Sequence, residues 1–315
     1  MEDDAEADAS AAFFDLLEDN SWTLPRGDEA LHVRPLTTTG DRDADVGGTL
    51  IVAFSSSGAH LDFEATLGRL RDEATRMGDS PVHGLLVSDA EFAWFVRTPS
   101  SDEEDEYSAV VGLVRREVLR HRPRRLLTLG YCRGGYAAVR CGVALHAHRV
   151  LAFSPTCYLQ PAQRRHRRLP ACYFDSYLDS LSAHAEHAGL DALHEAFAAA
   201  VAASAAEPTL QWQRERATQP RDVDEVAIEL HVGGDDDADV LETAACLDDW
   251  HAHELHEAAT RRDGADGRAA PAPKLRLSLT RHVHPGCGHE LPVYLKQAGQ
   301  LVPLLRKWAA TPSPP

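Results

Sequence analysis

The sequence lacks any run of about 18 consecutive apolar residues, the length a helix needs to cross a bilayer. It is also short of positive charge, with 32 Lys and Arg against 49 Asp and Glu, a formal net of −17. A surface this acidic repels phosphate backbones and anionic headgroups, which argues against nucleic acid or a membrane surface as partner. No C-x-x-C pair occurs; the six cysteines are scattered at 132, 141, 157, 172, 246 and 287. The opening MEDDAEADAS has no basic-then-apolar layout of a signal peptide, so a cytoplasmic chain with free thiols is expected. Neither a G-x-x-x-x-G-K-[ST] loop nor a G-x-G-x-x-G fingerprint is present, which argues against nucleotide chemistry. No internal repeat is visible.

What is present is ample core material: 43% of the 315 residues are hydrophobic. From residue 49 onward, short apolar runs alternate with helical periodicity. TLIVAF (49–54), HGLLVS (83–88), RLLTLG (125–130) and RVLAFS (149–154) read as buried parallel strands. Between them lie helices over 63–78, from Tyr107 through Val118, and over 133–146. The pattern breaks at about 156–224, where a basic run (Arg164, Arg165, Arg167, Arg168) and an Ala-rich helix are read as a lid insertion with a solvated surface. It resumes with VAIELHVG (226–233), a helix at 239–260, LRLSLT (275–280) and a closing helix at 291–308. The expected class is α/β, a mostly parallel central sheet flanked by helices. An acidic segment (1–22) precedes the domain at 23–310, and a Pro-rich tail (311–315), read as disordered, follows it.

The informative stretch is Gly130-Tyr131-Cys132-Arg133-Gly134-Gly135, entered from a buried strand and left by a helix. That is the strand–turn–helix setting of a nucleophile elbow, in which glycines allow the close backbone approach. A helix N-terminus behind a thiol favours its anionic form. The segment resembles the α/β-hydrolase superfamily, and GYCRGG is similar to the cysteine elbow of dienelactone hydrolases. The following GGYAAVRCGVALHAHRVLAFSP is similar to bacterial α/β-hydrolase-like proteins that carry serine at the nucleophile position.

The resemblance implies a chain order of nucleophile, acid, histidine. After VAIELHV comes Gly233-Gly234-Asp235-Asp236-Asp237-Ala238-Asp239, where Asp236 fits the acid best, with Asp239 and Asp235 as alternates. After the last strand, Gly288-His289 resembles the catalytic-histidine loop and favours His289 over His282 and His284. The oxyanion hole is expected from the backbone N–H of Arg133 and from the loop holding Ser56 and Ser57, with Asp89 and Trp94 near the same edge.

The implied function is a cysteine hydrolase or acyltransferase acting on a small-molecule ester, lactone or thioester, with no cofactor. The alternative is a catalytically inactive binding or scaffolding protein on the same fold, since function lives in the site. His282, His284, Cys287 and His289, or His251, His253 and His256, suit zinc by ligand type. There is no H-E-x-x-H and no familiar spacing, so no metal is expected.

Overall fold

The computed structural model describes residues 31–36, 48–56, 63–89, 95, 108–170, 178, 193–203, 224–263 and 275–311. Seven strands, β1 (Leu31–Leu36), β2 (Thr49–Phe54), β3 (Val82–Asp89), β4 (Arg125–Tyr131), β5 (Arg149–Phe153), β6 (Asp224–Gly233) and β7 (Leu275–His284), form one sheet. Their order is β1-β3-β2-β4-β5-β6-β7. β1 pairs antiparallel with β3, and every other neighbouring pair is parallel. β2 is buried at every position, which is why it reads as a continuous apolar run rather than an alternating one.

The helices are α1 (Glu64–Met77), α2 (Ser108–His121), α3 (Arg133–Ala144), α4 (Pro161–His166), α5 (Leu193–Ala203), α6 (Asp237–Asp263), α7 (Leu291–Gln297) and α8 (Leu301–Ala310). Successive strand residues point to opposite faces, so the sheet feeds two cores. Val52, Phe54 and Leu126 join Val114, Tyr136 and Trp250 on one side. Ile51, Leu127 and Phe153 join Leu67, Leu305 and Trp308 on the other. This is the α/β class that the sequence implied, a mostly parallel sheet flanked by helices. Among the described residues no helix is long and apolar enough to cross a membrane.

Three details differ from the sequence reading. Strand β1 was not foreseen; Pro35 interrupts its pattern, and an edge position is where a sheet tolerates proline. The closing helix is two helices, broken at Gly299, whose φ of 67° only glycine adopts freely. β7 continues past Thr280 to His284, pairing with β6 along its whole length.

The insertion is described over 155–170, at 178 and over 193–203, and there it belongs to the core. Cys157, Tyr158, Leu193 and Phe197 are buried with Cys246 and Trp250 of α6, and Phe197 meets Trp250 edge to face at 5.5 Å. Two carboxylates of α6 hold it. Glu242 accepts from Arg164 Nη1 (2.6 Å) and from the backbone N–H groups of Cys157 (2.7 Å) and Tyr158 (3.0 Å). Asp249 accepts from the Tyr158 hydroxyl (2.7 Å) and pairs with Arg167. The basic run is therefore not simply a solvated surface: Arg164 is buried and ion-paired. Segment 1–22, the rest of the insertion, Ser57, Trp94, Cys172 and residues 312–315 lie outside the described residues.

Candidate active site

β4 delivers the chain to Cys132, whose φ of 52° and ψ of −117° lie in a region that L-residues avoid. The strain is held on both sides. Cys132 N–H donates to the Phe153 carbonyl of β5 (2.9 Å), and its own carbonyl accepts from Tyr136 N–H (3.1 Å). The flanking glycines leave no room for a side chain. A Cβ on Gly130 would lie 1.9 Å from the Gly134 oxygen, and one on Gly134 would lie 2.2 Å from the Phe54 oxygen. The first turn of α3 thus rests directly on the ends of β4 and β2. Its leading amides, Arg133 first, belong to the first turn of α3, at the elbow.

The loop after β2 is tied to the same turn. Arg133 is buried, and its Nε donates to the Ser56 carbonyl at 2.6 Å. Ser55 N–H donates to the Val87 carbonyl at 2.9 Å. The guanidinium therefore fixes the Ser56 backbone beside the elbow, a role for this side chain that the sequence did not suggest. Buried Asp89, the last residue of β3, accepts from Phe95 N–H at 2.8 Å.

The loops after β6 and β7 are stitched together. Gly234 N–H donates to the His284 carbonyl (2.7 Å), and Asp235 N–H donates to the Cys287 carbonyl (2.9 Å). Asp235 Oδ1 accepts from Gly286 N–H (3.1 Å). Approach this close is possible because a Cβ on Gly233 would stand 2.1 Å from the Gly288 oxygen.

The result places His289 Nδ1 against the Asp239 carboxylate at 2.9 and 3.1 Å. Asp236, the expected acid, does something else. It is the residue before α6, its carbonyl accepts from Val240 N–H (3.1 Å) and its Oδ1 from Asp239 N–H (3.0 Å), an N-cap. Among the three aspartates weighed, Asp239 is the one bonded to His289, Asp236 caps α6 and Asp235 serves the loop pairing.

Cys132 stands close enough to act electrostatically on His289. Burial works against protonation of the imidazole. The neighbouring Cys132 and the Asp239 hydrogen bond outweigh it and push the His289 pKa well above its ordinary value. The Tyr131 ring packs on the imidazole at 5.4 Å. Cys132, His289 and Asp239 thus stand in one line, Asp239 bonded to His289 and His289 within electrostatic reach of Cys132.

The histidines weighed for a metal are separated. His289 belongs to this line, whereas His282 and His284 stand on β7. Asp236, Asp239 and His289 do offer ligand atoms within 4.8 Å of one another, but Asp236 and Asp239 are already engaged as described.

No family model matches the chain, and no curated protein matches it. Solved structures do. An inhibited esterase B from Lactobacillus rhamnosis aligns at 12% identity over 98% of this chain and 94% of that one, with a TM-score of 0.47. FphF, a fluorophosphonate-binding serine hydrolase of Staphylococcus aureus, aligns at 12% identity over 89% and 92%, with a TM-score of 0.44. The capsule O-acetyltransferase of Neisseria meningitidis serogroup A aligns at 10% identity over 87% and 92%, also at 0.44.

Proposed function

We propose that this chain is a cysteine-dependent hydrolase or acyltransferase for carboxylic esters, lactones or thioesters. The observation that carries the reading is Cys132 at positive φ on the elbow, within electrostatic reach of His289, whose Nδ1 is held by Asp239. A nucleophile in reach of a base, with the base oriented by a third group, is the signature of covalent catalysis.

The Cys132 sulfur attacks the substrate carbonyl carbon, and a C–S bond forms while the carbonyl π electrons move to oxygen. The Arg133 amide and the loop at Ser56 face the developing oxyanion. Protonated His289 gives its proton to the departing alkoxide or thiolate as the tetrahedral adduct collapses to an acyl-thioester. His289, now neutral, takes a proton from water or from an acceptor alcohol, whose oxygen attacks the thioester. The proton then returns to sulfur or remains on the imidazole. Asp239 stabilises the imidazolium and fixes its tautomer throughout.

The chain order of the three residues and the strained, glycine-bounded elbow support the same reading. A non-catalytic member of the fold has no need of a base near its elbow residue, so an imidazole within electrostatic reach of Cys132 speaks against the scaffolding alternative. The test is an ester, lactone and thioester panel with wild type, Cys132→Ala and His289→Ala. Turnover by wild type alone supports the proposal. Equal turnover by Cys132→Ala overturns it.

A further inference from the structure

A second cluster of chemically capable side chains stands on the sheet face beneath α8, apart from the Cys132–His289–Asp239 line. β6 and β7 pair in parallel with His231 opposite His282. Residues two apart on a strand share a face, so Glu229 and His231 of β6 lie beside His282 and His284 of β7. The Glu229 Oε2 atom is 3.7 Å from His231 Nε2 and 3.8 Å from His282 Nε2, and the three ligand atoms lie within 4.8 Å of one another. None of these separations is a hydrogen bond. His231 is 5% exposed, and its Nε2 is buried without a hydrogen-bond partner. A carboxylate oxygen and two imidazole nitrogens thus converge within reach of one ion.

We propose that Glu229, His231 and His282 form a binding site for a divalent transition metal ion of the zinc class. Imidazole and carboxylate are its usual donors, and ligands about 2.0–2.1 Å from zinc stand roughly 3.3 Å apart in a tetrahedron. Closing the observed gaps to that spacing takes only a small swing of His282, whose side chain is 49% exposed. The outer partners are already in place. His231 Nδ1 and His284 Nε2 share a hydrogen bond of 2.9 Å, which with the proton on Nδ1 leaves the Nε2 lone pair directed at the site. Glu229 Oε1 is held by Arg149, which leaves Oε2 for the ion. Rings of His231 and His282 stack at 4.4 Å between centroids, fixing both planes. Three protein ligands with one solvent-facing side leave a fourth position for water or a small ligand, the arrangement of an open zinc site.

The set differs from the His-rich groupings weighed in the sequence, because β7 carries His282 and His284 on a strand beside Glu229 and His231, some 50 residues earlier in the chain. An ion here ties β6 to β7 just before the loops that carry Asp239 and His289, where Gly234 N–H already donates to the His284 carbonyl. The proposal stands independently of acyl transfer at Cys132.

The test uses the full chain, free of any tag and stripped by a chelator, titrated with Zn²⁺ in competition with a chromophoric chelator and with Co²⁺ by absorption. One equivalent of each is expected to bind, with the visible bands of a low-coordinate Co²⁺ centre. His282→Ala, at a half-exposed position, folds as wild type by circular dichroism and loses this binding. His284→Ala, which removes only the orienting bond, weakens it about 10–100-fold. His289→Ala retains it, which separates this site from the Asp236–Asp239–His289 group. No stoichiometric binding, undiminished binding by His282→Ala, or loss in His289→Ala overturns the proposal.

Discussion

Glu242 is the residue whose replacement tests the packing of the insertion most sharply. Its carboxylate is fully buried and accepts three hydrogen bonds, from Arg164 Nη1 and from the amides of Cys157 and Tyr158. Burial pushes its pKa up, and Arg164 with the two backbone N–H groups pulls it back only part of the way. Glu242→Gln keeps an acceptor for the two amides but leaves the Arg164 cation buried without its counter-charge. Breaking a buried pair from one side costs about 3–5 kcal/mol. The double variant Glu242→Leu with Arg164→Met removes both charges, and what remains is the loss of two amide acceptors, about 1–3 kcal/mol each.

Arg164→Met alone should behave differently. Without the cation the folded-state pKa of Glu242 rises further above its unfolded value, so the folded state binds the proton more readily. Stability of this variant relative to wild type therefore increases as pH falls from 7 toward the unfolded carboxylate value of about 4.3. Urea unfolding followed by tryptophan fluorescence at pH 7 and pH 5 measures all three. A cost below about 1 kcal/mol for Glu242→Gln, or pH-independent destabilisation of Arg164→Met, refutes the reasoning.

Other outcomes follow from the site geometry. Asp239→Asn lowers kcat about 10²–10⁴-fold on any substrate the panel identifies, by analogy with loss of the orienting acid in a triad; Asp236→Asn, which can still cap α6, leaves kcat near wild type in the same assay. Asp236→Ala removes the cap and costs about 1 kcal/mol in denaturant titration. Because Cys132 and Asp239 hold His289 protonated above its ordinary range, the alkaline limb of the rate profile lies above neutrality. Asp239→Asn moves that limb to lower pH; a limb that does not move contradicts the assignment. Gly134→Ala puts a Cβ 2.2 Å from the Phe54 oxygen, a backbone clash, and either abolishes turnover or yields insoluble protein, as read by activity and sedimentation.

The central strands were legible because each is buried on both faces and reads as an unbroken apolar run; TLIVAF at β2 matches its observed bounds. The elbow was legible because its constraint is steric: Gly130 and Gly134 are glycine where no Cβ fits. The acid was harder. Four aspartates in five positions offer equal chemistry, and the choice depends on where α6 begins. Read as a helix start, the same residues do distinguish themselves: Asp236 at the N-cap spends its carboxylate on the amide of the third helical residue, and that residue, Asp239, is left to face His289. The Arg164–Glu242 pair and the Glu229–His231–His282 group could not be read, since each joins segments that only the sheet order brings together. Alternating charge hid β7 as well. Beyond Thr280 its residues are half-buried or exposed, and the single apolar one, Val283, is too little to mark them as strand.

The most direct test of the acyl-transfer reading is to expose the protein briefly to an activated ester, quench, and map the acyl group by mass spectrometry. Wild type should carry one acyl group, on Cys132, which disappears with further incubation, and His289→Ala should acylate about 10²–10⁴-fold more slowly. Acylation spread equally over the cysteines, or unchanged at Cys132 by His289→Ala, contradicts it.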